Sequence, residues 1–389
     1  MQPVTKPSPT APDTMHLLYV AQHFDYGDPS RGPSFEHYNF DLALQAMGFS
    51  MTRFDVPTVV AQHGRAEAGR RLLEIVRREK PDVLFGVVRG DAMSPRVFRE
   101  ISEQTDTLTI NWFCDDHWQF DSDALKWAPA FNRVVTTSRN ALRRYSEHNL
   151  RHVIKSQWGA NHALYRPTPG PMRYDVSFVG QPYGMRQTAV DTLRRAGIKV
   201  HAWGSGWPAG KLEQAEMIRV FSQSRINLNF ADASSSGSTW AQRFASSHAI
   251  DGLKDKPGLW RVWDRTQRFA RWHQARAEGK NPAPPRQIKG RVFEVPACGG
   301  FLLTQPAEDL DQYLTPGMDC ATFETVDDLV EQTRHYLARE DERRAIARHG
   351  YERTLAEHTY AGRFRAIFEE AGVAASHASS PTATPRLAA

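Results

Sequence analysis

The chain has 389 residues, 40% of them apolar and 24% charged, with a formal net charge of +5. This is the composition of a globular protein large enough for two domains, neither collagen-like nor low in complexity. Three scattered cysteines (Cys114, Cys298 and Cys320) exclude a disulfide framework and a C-x-x-C metal motif, so a cytoplasmic setting is expected. Residues 1–14 lack the apolar core of a secretory signal. Apolar runs such as 301–303 fall far short of the ~18–20 residues of a membrane span.

The predicted elements alternate. An apolar run over 15–22 reads as a buried strand, followed by a Gly/Pro-rich loop at 26–33. Ser34 then caps a helix in which Phe40, Ala43, Leu44 and Met47 share one face and Gly48 is the stop. Strands over 51–55, 82–88, 107–113 and 133–137 are separated by helices over 67–79 and 95–103, with another helix from Ser138. Residues 165–174 hold three prolines and read as a linker. The pattern restarts with strands at 175–180, 199–203 and 226–230 and helices at 187–196 and 212–223. After an interruption over 232–290 come a helix at 291–297, a strand at 300–304 and helices at 326–339 and 341–349. Such β-α alternation implies parallel sheets with helices on both faces, and two such halves enclose a cleft.

The expected organisation is a disordered N-terminus (1–14), a Rossmann-like domain (15–164), a linker (165–174) and a second Rossmann-like domain (175–350) carrying the insertion 232–290. A C-terminal helical segment (351–373), its helix near 360–371, crosses back to the first domain, and a disordered tail (374–389) ends the chain. Charge is uneven. Residues 251–291 hold eleven Lys/Arg against four Asp/Glu, interleaved with Trp260, Trp263 and Trp272. The tryptophans do not share a helical face, so a docked insertion with solvated cations fits better than a nucleic-acid surface, although an acceptor lid and nucleic-acid binding both stay open.

The most informative stretch is KGRVFEVPACGGFLLT (289–304), a short helix that ends at paired glycines and runs into a strand. Lys289 and Arg291 stand at its start, where cations and free N–H groups favour an anion. Glu294, one turn on, has the acceptor oxygens that a ribose diol needs. The alternative is an Arg291–Glu294 pair, with Pro296, Gly299 and Gly300 serving only the turn. Gly180 and Arg186 after a strand read either as a diphosphate cradle or as an ordinary β-α turn. Gly204, between Trp203 and Trp207, and Asn229 at a strand end are weaker candidates for the same ligand. In NWFCDDHW (111–118), Asp115, Asp116 and His117 are expected at the carboxyl edge of a strand, facing the cleft. There Asp116 is the preferred general base, against a reading as a helix cap. Glu36 is a second base candidate, or a partner of its own helix dipole. No His/Asp/Glu cluster shows ligand spacing, so no metal is expected.

RVFEVPACGGFLL, TPGMDCATFETVDDLVEQTRHYL and RRAIARHGYERTLAEHTYAGRF resemble the C-terminal half of CgeB-like, spore-maturation type glycosyltransferases of the GT-B superfamily. The resemblance extends upstream through 175–207 and, more weakly, into SFEHYNFDLALQAMG and WGANHALYRP. It implies an α/β GT-B fold of two Rossmann-like domains whose parallel sheets face a central cleft, and metal-independent transfer of a sugar from a nucleoside diphosphate-sugar to an acceptor hydroxyl. It also implies that Glu294 holds the ribose and that the loop reaching Glu36 and His37, with Asp115 and His117, contacts the acceptor. Many retaining members carry an acidic residue eight positions before that glutamate, where this chain has Arg286. The rival readings are a non-catalytic nucleotide-sugar binder with the same fold and a transferase acting on nucleic acid through the basic segment. The donor's base and sugar, the acceptor, the stereochemistry and the oligomeric state are not legible.

Overall fold

The computed structural model describes residues 15–90, 92–232 and 286–373. The termini and most of the basic insertion therefore lie outside the described residues. Two parallel sheets make up the molecule. The first contains β1 (His16–Ala21), β2 (Ser50–Asp55), β3 (Val83–Gly86), β4 (Leu108–Phe113), β5 (Arg133–Thr136) and β6 (Val153–Lys155), in the order β2-β1-β3-β4-β5-β6. The second contains β7 (Tyr174–Val179), β8 (Val200–Trp203), β9 (Ser224–Asn229), β10 (Leu302–Thr304) and β11 (Ala321–Thr322), in the order β11-β10-β9-β7-β8. Central strands of a parallel sheet are covered on both faces, so they read as continuous apolar runs rather than alternating ones. Leu17, Leu18 and Val20 of β1 and Val83, Leu84 and Phe85 of β3 are all fully buried.

Five helices position the parts that matter. A π-turn over His37–Asp41 leads into α1 (Leu42–Ala46). Ser138 caps α2 (Arg139–Glu147), its hydroxyl accepting from the Ala141 N–H at 3.1 Å. α3 (Arg186–Arg195) follows β7, and α4 (Arg291–Ala297) precedes β10. α5 (Tyr360–Glu370) lies against the first sheet, where Phe364 packs edge-on to Phe40 and Phe85 at 5.7 and 5.4 Å. The return to the first sheet runs beside the linker. The Ala160 N–H donates to the His358 carbonyl at 2.9 Å and the Tyr360 N–H donates to the Ala160 carbonyl at 3.0 Å. Only glycine fits at 159, because a Cβ there would stand 2.8 Å from that His358 carbonyl oxygen. One apolar cluster runs from Leu17 and Trp112 through Tyr165 to Phe293, Leu302 and Phe364, so the two halves share a core on the hinge side.

Candidate active site

In each sheet the chain reverses its direction of winding beside the first strand of that half: between β1 and β3, and between β7 and β9. The loops leaving such neighbouring strands diverge and open a crevice at their carboxyl ends. In the second half that crevice is lined by Arg186, which is 6% exposed and opens α3. Its guanidinium donates to the carbonyls of Gln181 (3.2 Å) and Phe230 (3.3 Å) and lies 3.8 Å from the centre of the Tyr183 ring. Beside it is Lys289, whose ammonium makes no hydrogen bond or ion pair among the described residues. Burial brings the Lys289 pKa down to about 8; Arg186 pushes the same way, while Asp115 and Asp232 oppose it. The result is a buried guanidinium beside a half-buried ammonium, with no carboxylate in contact with the lysine among the described residues.

Across the cleft, Arg89 follows β3 and donates to Asp115 Oδ2 at 3.1 Å. Burial works against the guanidinium charge, but Asp115, Glu36 and Asp123 hold the Arg89 pKa above its ordinary value. Glu36 itself accepts from Gln22 Nε2 at 2.9 Å. The charge of Asp115 acts on both Lys289 and Tyr183, so this carboxylate looks across at the second half.

The expectation that Asp115, Asp116 and His117 all face the cleft is corrected at Asp116. A short helix begins at Asp116 and turns that side chain inward. Asp116 is 2% exposed, accepts from Tyr145 Oη at 3.2 Å and is pushed by burial up to about 7. His117 is also buried; desolvation lowers it to about 3 and the charge of Lys289 pushes the same way, so this ring lies towards the second half, as Asp115 does. His37 lines a small cavity with His23 and with Arg53 and Asp55 of β2. Its Nδ1 lies 3.0 Å from Asp41 Oδ2 and its ring meets that of His23.

Glu294 is likewise not open to the cleft. It is fully buried, and its carboxylate is taken up by residues from three segments. Asn39 Nδ2 donates to it at 3.0 Å, Tyr165 Oη donates at 2.9 Å, and Arg291 forms an ion pair with it. Arg291 also lies over the Phe221 ring at 5.4 Å. Gly299 and Gly300 lie at the far end of α4 from Lys289. Gly299 takes a φ of 71°, and a Cβ on Gly300 would stand 2.5 Å from the Phe221 carbonyl oxygen, so these glycines serve the turn. The amide of Asn229 is spent on Thr304 Oγ1 at 2.8 Å inside the sheet. Gly204 is a packing glycine too: Trp207 Nε1 donates to the Gly180 carbonyl at 2.7 Å, and a Cβ on Gly204 would stand 2.4 Å from that same oxygen. Arg286 is tied to Glu324, donating to Oε2 at 2.8 Å.

Sequence reasoning missed Arg89, Tyr183, Asn39 and Tyr165. Arg89 had a readable signal, a cation directly after a buried apolar strand. Asn39 and Tyr165 had none, being 255 and 129 positions from the carboxylate they serve.

Two parallel Rossmann-like sheets facing each other across a cleft define the GT-B architecture of glycosyltransferases. A family model described as glycosyl transferase-like matches residues 186–253 and 265–369, which include Arg186, Lys289 and Glu294. Among solved structures, sucrose-phosphate synthase of Thermosynechococcus elongatus is similar at a TM-score of 0.60 and 11% identity, covering 92% of this chain and 98% of its own. A glycosyltransferase of Rickettsia africae gives 0.57 and 10%, over 92% and 98%. Anabaena HepE, crystallised with UDP-glucose, gives 0.57 and 10%, over 91% and 98%. No curated protein matches the sequence. Among the described residues no helix is long and apolar enough to cross a membrane.

Proposed function

We propose that this chain transfers a sugar from a nucleoside diphosphate-sugar to an acceptor hydroxyl, as the resemblance to CgeB-like glycosyltransferases implies. The observation that carries the reading is the Arg186–Lys289 pair: a buried guanidinium and a half-buried ammonium close enough to repel each other, the lysine without an ion-pair partner among the described residues. A buried charge is costly unless an opposite charge meets it, and a diphosphate supplies that charge. As the donor bond breaks, negative charge grows on the leaving diphosphate. Fixed cations in a dry cleft stabilise it without rearranging and without a metal ion. HepE, similar in fold, binds UDP-glucose, which agrees with such a donor.

On the acceptor side, Asp115 is the carboxylate turned towards Lys289 and is our candidate for orienting the acceptor hydroxyl, held by Arg89 with Glu36 nearby. Asp116, bonded to Tyr145 behind it, steadies that wall.

Calorimetric titration with UDP-, GDP-, ADP- and dTDP-sugars in EDTA tests the reading. At least one donor should bind. Lys289→Ala should then weaken it by roughly 10- to 150-fold, the value of one charged hydrogen bond of about 1.5–3 kcal/mol. Unchanged affinity in Lys289→Ala, or binding only with Mn²⁺ or Mg²⁺ restored, would sink it.

A further inference from the structure

Away from the Arg186–Lys289 pair, one group of described side chains has the donor chemistry of a metal centre: His23, His37 and Asp41, each offering one ligand atom within 4.8 Å of the others. We propose that these three residues bind a transition-metal dication, with Zn²⁺ the best fit, and that the ion braces the loop after β1 against the turn that precedes α1.

The geometry is close to what the ion needs. Tetrahedral zinc with bonds of about 2.0–2.1 Å sets its ligands roughly 3.3 Å apart. Closing from the observed spread takes roughly 1.5 Å at most, within reach of small side-chain rotations about the staggered wells. The two imidazole rings stand 4.4 Å apart, centre to centre, at 66° to one another. Asp41 is already oriented: Arg53 Nε holds Oδ1 at 2.8 Å, which leaves Oδ2 facing His37 Nδ1 at 3.0 Å. A dication entering between Nδ1 and Oδ2 takes the place of the bridging proton, and the ring adopts its Nε2–H tautomer. The carboxylate of Asp55 lines the same small cavity as His23, His37 and Asp41, its oxygens accepting from the His23 N–H at 3.2 Å and from Thr58 Oγ1 at 2.5 Å. Three protein ligands leave a fourth position for water.

The backbone supplies a second, independent sign. The segment His37–Asp41 is a π-turn that begins on one ligand and ends on another. Such turns are rare and gather at functional sites. Two imidazoles with one carboxylate select Zn²⁺, Co²⁺ or Ni²⁺ over Mg²⁺, which prefers an all-oxygen shell. The sequence hides the site because His23 and His37 are 14 positions apart across a Gly/Pro-rich loop. The brace would stiffen the segment that carries Asp25 and Glu36.

Calorimetric titration of metal-stripped protein with Zn²⁺ tests this without reference to activity. Wild type and His63→Gln, an exposed control, should each take one equivalent that Mg²⁺ does not displace. His23→Gln and Asp41→Asn should weaken that binding at least tenfold, and Co²⁺ should give a tetrahedral visible spectrum that both variants lose. Circular dichroism confirms folding; if Asp41→Asn fails to fold, His23→Gln, whose ring makes only edge contacts, decides. Zn²⁺ held elsewhere among the fifteen histidines would survive both substitutions. That result, or no uptake by wild type, would overturn the proposal.

Discussion

Lys289 and Glu294 begin and end the same six-residue stretch, yet the fold treats them in opposite ways. Glu294 is fully buried and has three partners, whereas Lys289 has none among the described residues. The carboxylate therefore serves stability first. Glu294→Gln leaves the Arg291 charge without its counter-charge, and breaking a buried pair from one side costs about 3 kcal/mol. We expect a melting temperature several degrees lower and unchanged nucleotide affinity in the folded fraction, read by calorimetry below the transition. The reverse pattern, normal melting with lost affinity, would return Glu294 to the ribose. For Lys289 the prediction concerns pH. Its pKa in the folded protein is brought down to about 8, first by burial. The ammonium is charged below that pH and loses its proton as pH rises through it, so donor affinity should fall above about pH 8. A bound diphosphate favours the charged form, so binding near pH 8.5 should take up a proton, seen as a heat that depends on the buffer. No proton uptake there would mean that the lysine does not meet the phosphates. Both residues were legible as special, because cations and a carboxylate open a helix before paired glycines. What each one touches was not, since the deciding partners come from distant parts of the chain.

At the scale of elements, the buried parallel strands were the most legible, because a strand covered on both faces leaves an unmistakable apolar run. β6 and β11 escaped because three and two residues carry too little pattern. Caps were readable as well. The helix expected from Ser138 begins there, the Ser138 hydroxyl accepting from the Ala141 N–H at 3.1 Å. The sequence predicts a regular helix after Ser34, whereas a π-turn occupies His37–Asp41; apolar spacing at 40, 43, 44 and 47 is compatible with both. Loops were least legible. The sequence offers Gly204, between Trp203 and Trp207, as a ligand contact, and the packing of this stretch makes it a turn. Trp207 is 5% exposed and pins the Gly180 carbonyl, and Gly204 sits at φ 138° against the same loop. Gly204→Ala should therefore cost about 1–3 kcal/mol from backbone strain alone. It should also displace the segment from Gly180 to Arg186 and weaken donor binding. Wild-type melting and affinity in this variant would show that the two loops are not coupled.

The whole molecule is held shut unevenly. On the hinge side the halves share an apolar core, and Glu308 reaches across to the start of α2, accepting from Ser138 Oγ and the Asn140 N–H, both at 3.1 Å. A carboxylate there also meets the positive end of the helix dipole, worth about 0.3–1 kcal/mol at an exposed site and up to ~2 when partly buried. Asp309 adds an ion pair to Arg139 at 3.1 Å. At the cleft mouth the contact is Lys211, which donates to Asp25 Oδ2 at 2.8 Å and to the Arg31 carbonyl at 3.0 Å, with its own side chain 43% exposed. An exposed pair of this kind is worth roughly 0–1 kcal/mol and weakens with salt. The mouth can therefore part cheaply to admit substrates while the hinge stays packed. Lys211→Met should leave melting within about a degree of wild type and raise hydrogen exchange over residues 25–34, an effect that added salt reproduces in wild type. Glu308→Gln should lower melting by more and leave exchange at the mouth unchanged. If Lys211→Met were the more destabilising of the two, or if salt had no effect on exchange at the mouth, the hinge and the mouth would have been assigned the wrong way round.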